Sequence, residues 1–192
     1  MKFEIIKGNL IDKALAGEFD VIAHGCNCFC IQKAGIAAQM SKAFNTDNFE
    51  YFVSESPSLK GNFMKLGTID WSAFVKVLPF DNEYIQLPKH KSQLYKGCDH
   101  YLTVINAYTQ YNLGANLDYE ALTLCMRKIN HLFKNKHIGL PKIGCGIAGG
   151  IWDIMELTTE LAKIQFENKH FKDVKTIIKE ELKDCDVTIC EL

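Results

Sequence analysis

The stretch Leu140-Pro-Lys-Ile-Gly-Cys-Gly-Ile-Ala-Gly-Gly-Ile-Trp152 holds four of the chain's thirteen glycines and follows a short apolar run, 136–140, without a break. Glycine adopts positive φ freely and has no Cβ. Consecutive N–H groups of such a loop can therefore converge on an anion at a helix start, where the peptide dipoles also favour negative charge. A strand feeding a glycine loop and then a helix is the punctuation of an α/β fold. A tight strand-to-helix turn needs the same glycines, so the loop alone leaves phosphate binding and simple turning equally open.

Outward from this loop the chain keeps to the same grammar. Lys2–Lys7 alternates charged and apolar residues as a strand, ended by Gly8-Asn9. Phe19–Ala23 is a second short strand, and His24–Cys30, with no helical period, reads as the loop after it. From Gly35, the residues Ile36, Met40 and Phe44 recur every four positions and predict a helix. Segments 68–78 and 84–87 are β-like, with an irregular excursion over 79–99. Tyr101–Tyr108 is apolar on both faces and predicts a buried central strand. Asp118 can cap a helix through Tyr119, Leu122, Met126, Ile129 and Phe133. Beyond Trp152 one helix is expected to carry Ile154, Leu157, Leu161 and Ile164, a second to span 174–182, and 186–190 to close the fold as a strand. The order implies a largely parallel or mixed sheet between helices.

A length of 192 residues suits one domain, 1–192, with no linker or composition break inside it. Twenty-two basic residues against twenty-three acidic ones give a formal charge of -1, which supplies no field for holding a nucleic-acid backbone and makes that partner unlikely. Charges in the first seven residues and the lack of a bilayer-length apolar run predict no membrane association and a cytoplasmic location. Eight cysteines without a secretion signal are read as thiols. The two-residue spacing of Cys26, Cys28 and Cys30 does not match structural zinc sites, so no metal is expected. The string Gly144-Cys-Gly-Ile-Ala-Gly149 mimics a dinucleotide fingerprint but lies late in the chain, with no acidic residue after a following strand; no cofactor is expected.

Four motifs, taken together and in order, resemble macro domains. They are Gly8-Asn9-Leu10; Val21-Ile-Ala-His-Gly-Cys-Asn-Cys-Phe-Cys30 leading to Ala34-Gly35-Ile36-Ala37; Val104-Ile-Asn106-Ala-Tyr108; and Ile143-Gly144-Cys145-Gly146-Ile147-Ala148-Gly149-Gly150. The match covers nearly the whole chain except excursions near 79–99 and 164–175, and is nearest the branch that processes ADP-ribose-1''-phosphate. The resemblance implies a three-layer α/β/α macro domain with a mixed, largely parallel central sheet. Its ligand would be ADP-ribose or a phosphorylated derivative, held in a cleft at the top of the sheet.

Carried over by position, Asn9 would meet the adenine amino group, and Asn27 the distal ribose. Gly35, Ile36 and Ala37 would lie beside the diphosphate, with Gly144, Cys145, Gly146, Ile147, Ala148 and Gly149 around its other side. Asn106 belongs to the same set. Tyr108 and Trp152 could line adenine or ribose, or be core aromatics. His24, which titrates near neutrality, is the expected catalytic group, acting on water or on a leaving hydroxyl. The implied reaction is hydrolysis of ADP-ribose-1''-phosphate or an ADP-ribosyl linkage; the alternative is a non-catalytic reader or sequestering module. Three positions depart from the family pattern: Lys33 where a small residue is usual, Ile151 where an acid is usual, and Asn9 for Asp.

Overall fold

In the computed structural model, residues 2–47, 60–76, 84–87, 101–169 and 172–192 are described. They form β1 (Phe3–Lys7), α1 (Leu10–Leu15), β2 (Val21–Asn27), α2 (Gly35–Phe44), β3 (Ile69–Lys76), β4 (Tyr84–Leu87), β5 (Tyr101–Gln110), α3 (Tyr119–Leu132), β6 (His137–Leu140), α4 (Glu160–Lys169), α5 (Val174–Glu181) and β7 (Asp186–Glu191). The strands make a mixed sheet in the order β1-β7-β6-β2-β5-β3-β4. From β1 through β5 in that order the neighbours run parallel, while β3 is antiparallel to both β5 and β4.

Strand alternation sorts the core into two layers of side chains. Val21, Ala23, Ile105, Ala107, Ile138, Leu140, Val187 and Ile189 pack on one face against Leu122, Met126 and Ile129 of α3 and Ile177 and Ile178 of α5. On the other face Ile22, Leu102, Val104 and Phe74 meet Leu10, Ile11 and Ala14 of α1 and Met40 and Phe44 of α2. Each fully buried Val, Leu, Ile, Met or Phe among them contributes roughly 2 kcal/mol of burial free energy. The result is the expected three-layer α/β/α arrangement. Asp118 caps α3 by accepting from the Ala121 N–H at 2.8 Å. Among the described residues no helix is long and apolar enough to cross a membrane.

Two expectations are corrected. β2 does not end at Ala23: His24, Gly25, Cys26 and Asn27 continue it, pairing with Asn106, Ala107, Tyr108 and Gln110 of β5. The local sequence lacks apolar alternation, and the strand is imposed by its long neighbour. The single helix after Trp152 is instead a 3₁₀ turn, Ile154–Glu156, and a separate α4. Leu161 and Ile164 of the expected stripe are 65% and 52% exposed, and Phe166 is the residue of α4 that is buried. The 79–99 excursion lies outside the described residues apart from β4, as does Cys98-Asp99-His100.

Candidate functional site

β6, β2 and β5 are parallel neighbours, so their carboxyl ends open on one edge of the sheet, where open α/β folds bind ligands. The loops leaving them, 28–34, 111–118 and 141–152, surround a cavity of about 350 Å³. Its floor and walls are formed by Gly25, Asn27, Thr109 and Gln110 at the strand ends and by Lys33 to Ala37, Leu113, Gly114, Pro141 to Gly144 and Gly146 to Ala148 from the loops. The loops are stitched together. The Leu117 N–H donates to Ala148 O (3.0 Å), and the Ile151 N–H to Tyr119 Oη (2.8 Å). Asn27 shapes its own loop, accepting from the Phe29 and Ile31 N–H groups and donating to Ile31 O at 2.9 Å.

The walls carry N–H donors with no partner among the described residues. α2 begins after Ala34, which has no side chain to cap it, and its first turn holds no acidic residue. The N–H groups of Gly35, Ile36 and Ala37 therefore meet the cavity uncapped, at the positive end of a helix dipole. Opposite them, Gly144 at φ 75° turns the second loop, and the N–H groups of Gly146, Ile147 and Ala148 make no hydrogen bond among the described residues. The two loops approach closely: a Cβ on Gly35 would lie 3.5 Å from Ile147 Cδ1. Among the described residues two cations line the cavity. Lys142 is neutralised by Glu191 at 2.9 Å and Glu156 at 3.9 Å, whereas Lys33 has no ion-pair partner among the described residues. The arrangement suits an anion with oxygens on two sides.

No family model matches the sequence. A phage T4 protein, the uncharacterized 17.5 kDa protein in the tk-vs intergenic region, is 34% identical over 174 residues, 86% of this chain and 94% of the phage protein. The chain belongs to that protein's family. Among solved structures, a Bacteroides thetaiotaomicron protein of unknown function superposes with a TM-score of 0.60 at 20% identity, covering 100% of this chain and 99% of that one. The Thermus aquaticus DarG macrodomain gives 0.54 at 17% identity, with 99% and 98% covered. Its fold is the macro domain. Thermosipho africanus DarTG in complex with ADP-ribose gives 0.55 at 11% identity, over 99% of this chain and 41% of that one.

Within this macro domain the residues expected at the site divide. Asn27, Lys33, Gly35, Ile36, Ala37, Gly144, Gly146, Ile147 and Ala148 all line the cavity. Asn9, His24, Asn106, Tyr108, Cys145, Gly149 and Trp152 do not. Asn9 caps α1, its Oδ1 accepting from the Ile11 N–H at 2.8 Å. Tyr108 and Trp152 take the core reading: Tyr108 is 1% exposed and donates to Asp70 Oδ2 at 2.9 Å, and Trp152 is 4% exposed beneath Lys142. Burial lifts the Cys145 thiol to about 12, well away from a thiolate. Asp153 does not replace the acid missing at Ile151, because it caps the 3₁₀ turn and is held by Lys175 at 2.6 Å.

His24 is the main correction. Alternation along β2 turns it away from Gly25 and into the layer beneath α2, fully buried. Asn106 donates through Nδ2 to Thr46 O at 2.8 Å, which leaves its Oδ1 to accept from His24 Nε2 at 2.7 Å and fixes the tautomer. Cys26 Sγ lies against the imidazole, 3.6 Å from Nε2 and 3.8 Å from Nδ1, Gln32 donates to that sulfur, and Thr46 Oγ1 donates to Gln32. These contacts form one buried polar cluster. Burial pulls the His24 pKa down to about 4 although the Asn106 bond pushes it up, so the imidazole is neutral and structural.

Thr109, Gln110, Leu113, Gly114 and Lys142 line the cavity from outside the four motifs, and Gly25 lines it from within one that assigns it no ligand role. Strand alternation could have found Gly25 and Thr109, since Gly25 follows Ala23 and Thr109 follows Ala107 on one face.

Proposed function

We propose that this macro domain binds ADP-ribose or a phosphorylated derivative and acts as a reader or sequestering module. The diphosphate would lie between the start of α2 and the 141–152 loop, with Lys33 beside the terminal substituent. The observation that carries this reading is the facing pair of uncapped N–H sets, which supply donors and positive dipole ends to an anion from two directions. Support for the ligand class comes from the ADP-ribose bound to a protein of the same fold. Binding is favoured over hydrolysis because His24, the acid or base that the phosphatase reading needs, is fully buried and bonded to Asn106 on the opposite face of β2.

Calorimetric titration with ADP-ribose and with ADP-ribose-1''-phosphate, followed by an assay for inorganic phosphate, tests the proposal. The expected result is one-to-one binding of both, tighter for the phosphorylated ligand, with no phosphate released. Phosphate release at a catalytic rate would turn the protein back into a hydrolase, and absence of binding to either ligand would overturn the reading altogether.

A further inference from the structure

Thr109 is the penultimate residue of β5, on the strand face shared with Ile105 and Ala107. It is fully buried, and among the described residues its hydroxyl oxygen is the one buried side-chain polar atom with no hydrogen-bond partner. An unpaired buried hydroxyl costs about 1–3 kcal/mol, whereas an isosteric valine would fill the same volume at no such cost. Packing alone therefore does not account for a threonine here.

Its position indicates what the hydroxyl meets. Thr109, Gly25, Ile143 and Gly144 all line the cavity. A Cβ on Gly25 would lie 2.9 Å from Thr109 Oγ1, 3.4 Å from Ile143 Cγ1 and 3.8 Å from Gly144 N. The hydroxyl thus sits at the seam of β2, β5 and the glycine loop, in the space left by the missing side chain of Gly25. Backbone N–H groups surround the same cavity, so a ligand oxygen drawn in by them reaches the threonine with lone pairs to offer.

We infer that Thr109 is a ligand-binding residue, donating its hydroxyl proton to a phosphoryl oxygen of the bound diphosphate at the cavity floor. The inference rests on the reading of the cavity as an ADP-ribose site. Calorimetry of wild type, Thr109→Val and Thr109→Ser with ADP-ribose and with ADP, paired with thermal unfolding of the unliganded proteins, tests it. The valine variant should lose about tenfold in affinity for both ligands, the serine variant should stay within about threefold of wild type, and unliganded Thr109→Val should melt no lower than wild type. Equal affinity of Thr109→Val and wild type overturns the assignment, as does a loss seen with ADP-ribose but not ADP. A lowered melting temperature of the unliganded valine variant also overturns it, since the hydroxyl would then be paired inside the protein. Wild type that binds neither ligand overturns the proposed function itself, a result distinct from any difference between variants.

Discussion

The two faces of the β2–β5 pair solve opposite problems with adjacent residues. On the α2 side, His24, Asn106, Thr46, Gln32 and Cys26 spend their donors and acceptors on each other. On the other side Gly25 and Thr109 leave space and an unpaired hydroxyl beside uncapped N–H groups. One face is complete without a ligand and the other is not. A titratable residue next to a glycine loop in sequence is therefore no guide to the cleft, because one step along a strand moves a side chain through the sheet.

That contrast is breakable. The largest effect is expected from His24→Ala, which opens a void and leaves Asn106 Oδ1 unpaired: a loss of about 4 kcal/mol in urea unfolding, with ADP-ribose affinity of the folded protein within about threefold of wild type. A large affinity loss without destabilisation would reverse the assignment of the two faces. Acid titration comes next. His24 has a folded pKa near 4, below its ordinary 6.5, so on acidification the unfolded chain takes up a proton that the folded chain refuses. Stability is complete above about 6.5 and falls by about 3 kcal/mol as the pH drops towards 4. A flat unfolding free energy across that window would mean that the imidazole is not buried as described.

Smaller effects belong to the open face. Gly25→Ala should put a methyl on the cavity floor against Thr109 and lower ADP-ribose affinity about tenfold, with a stability loss of about 1–2 kcal/mol because the added Cβ would meet the buried Thr109 Oγ1 at 2.9 Å. Unchanged calorimetric affinity would place the ligand elsewhere. Lys33→Ala, at an exposed position, should weaken binding about threefold and reduce its salt dependence, measured by titration at two ionic strengths.

Much of this architecture is legible in the sequence. The Ile36, Met40, Phe44 stripe marks a helix because three apolar side chains at a spacing of four share one face, and the Tyr101–Tyr108 run marks a buried strand because both its faces are covered. The glycine loops were legible as strand-to-helix turns, since glycine alone takes the positive φ that Gly144 and Gly149 adopt without strain. His-Gly-Cys-Asn at 24–27 was not legible as strand, because no local pattern demands it and ten-residue β5 supplies the hydrogen bonds. Thr109 carries no motif at all; its significance comes from what surrounds Oγ1.

The sequence by itself determined the two loops, their composition and most of the order of elements, with α1 and the division of 154–169 left unread, because periodicity and glycine content act over a few residues. Only the tertiary structure decided that His24 is sealed beneath α2 while Gly25 and Thr109 open on the cavity. Which face of a strand is covered depends on helices far away in the chain, and local sequence does not encode their placement.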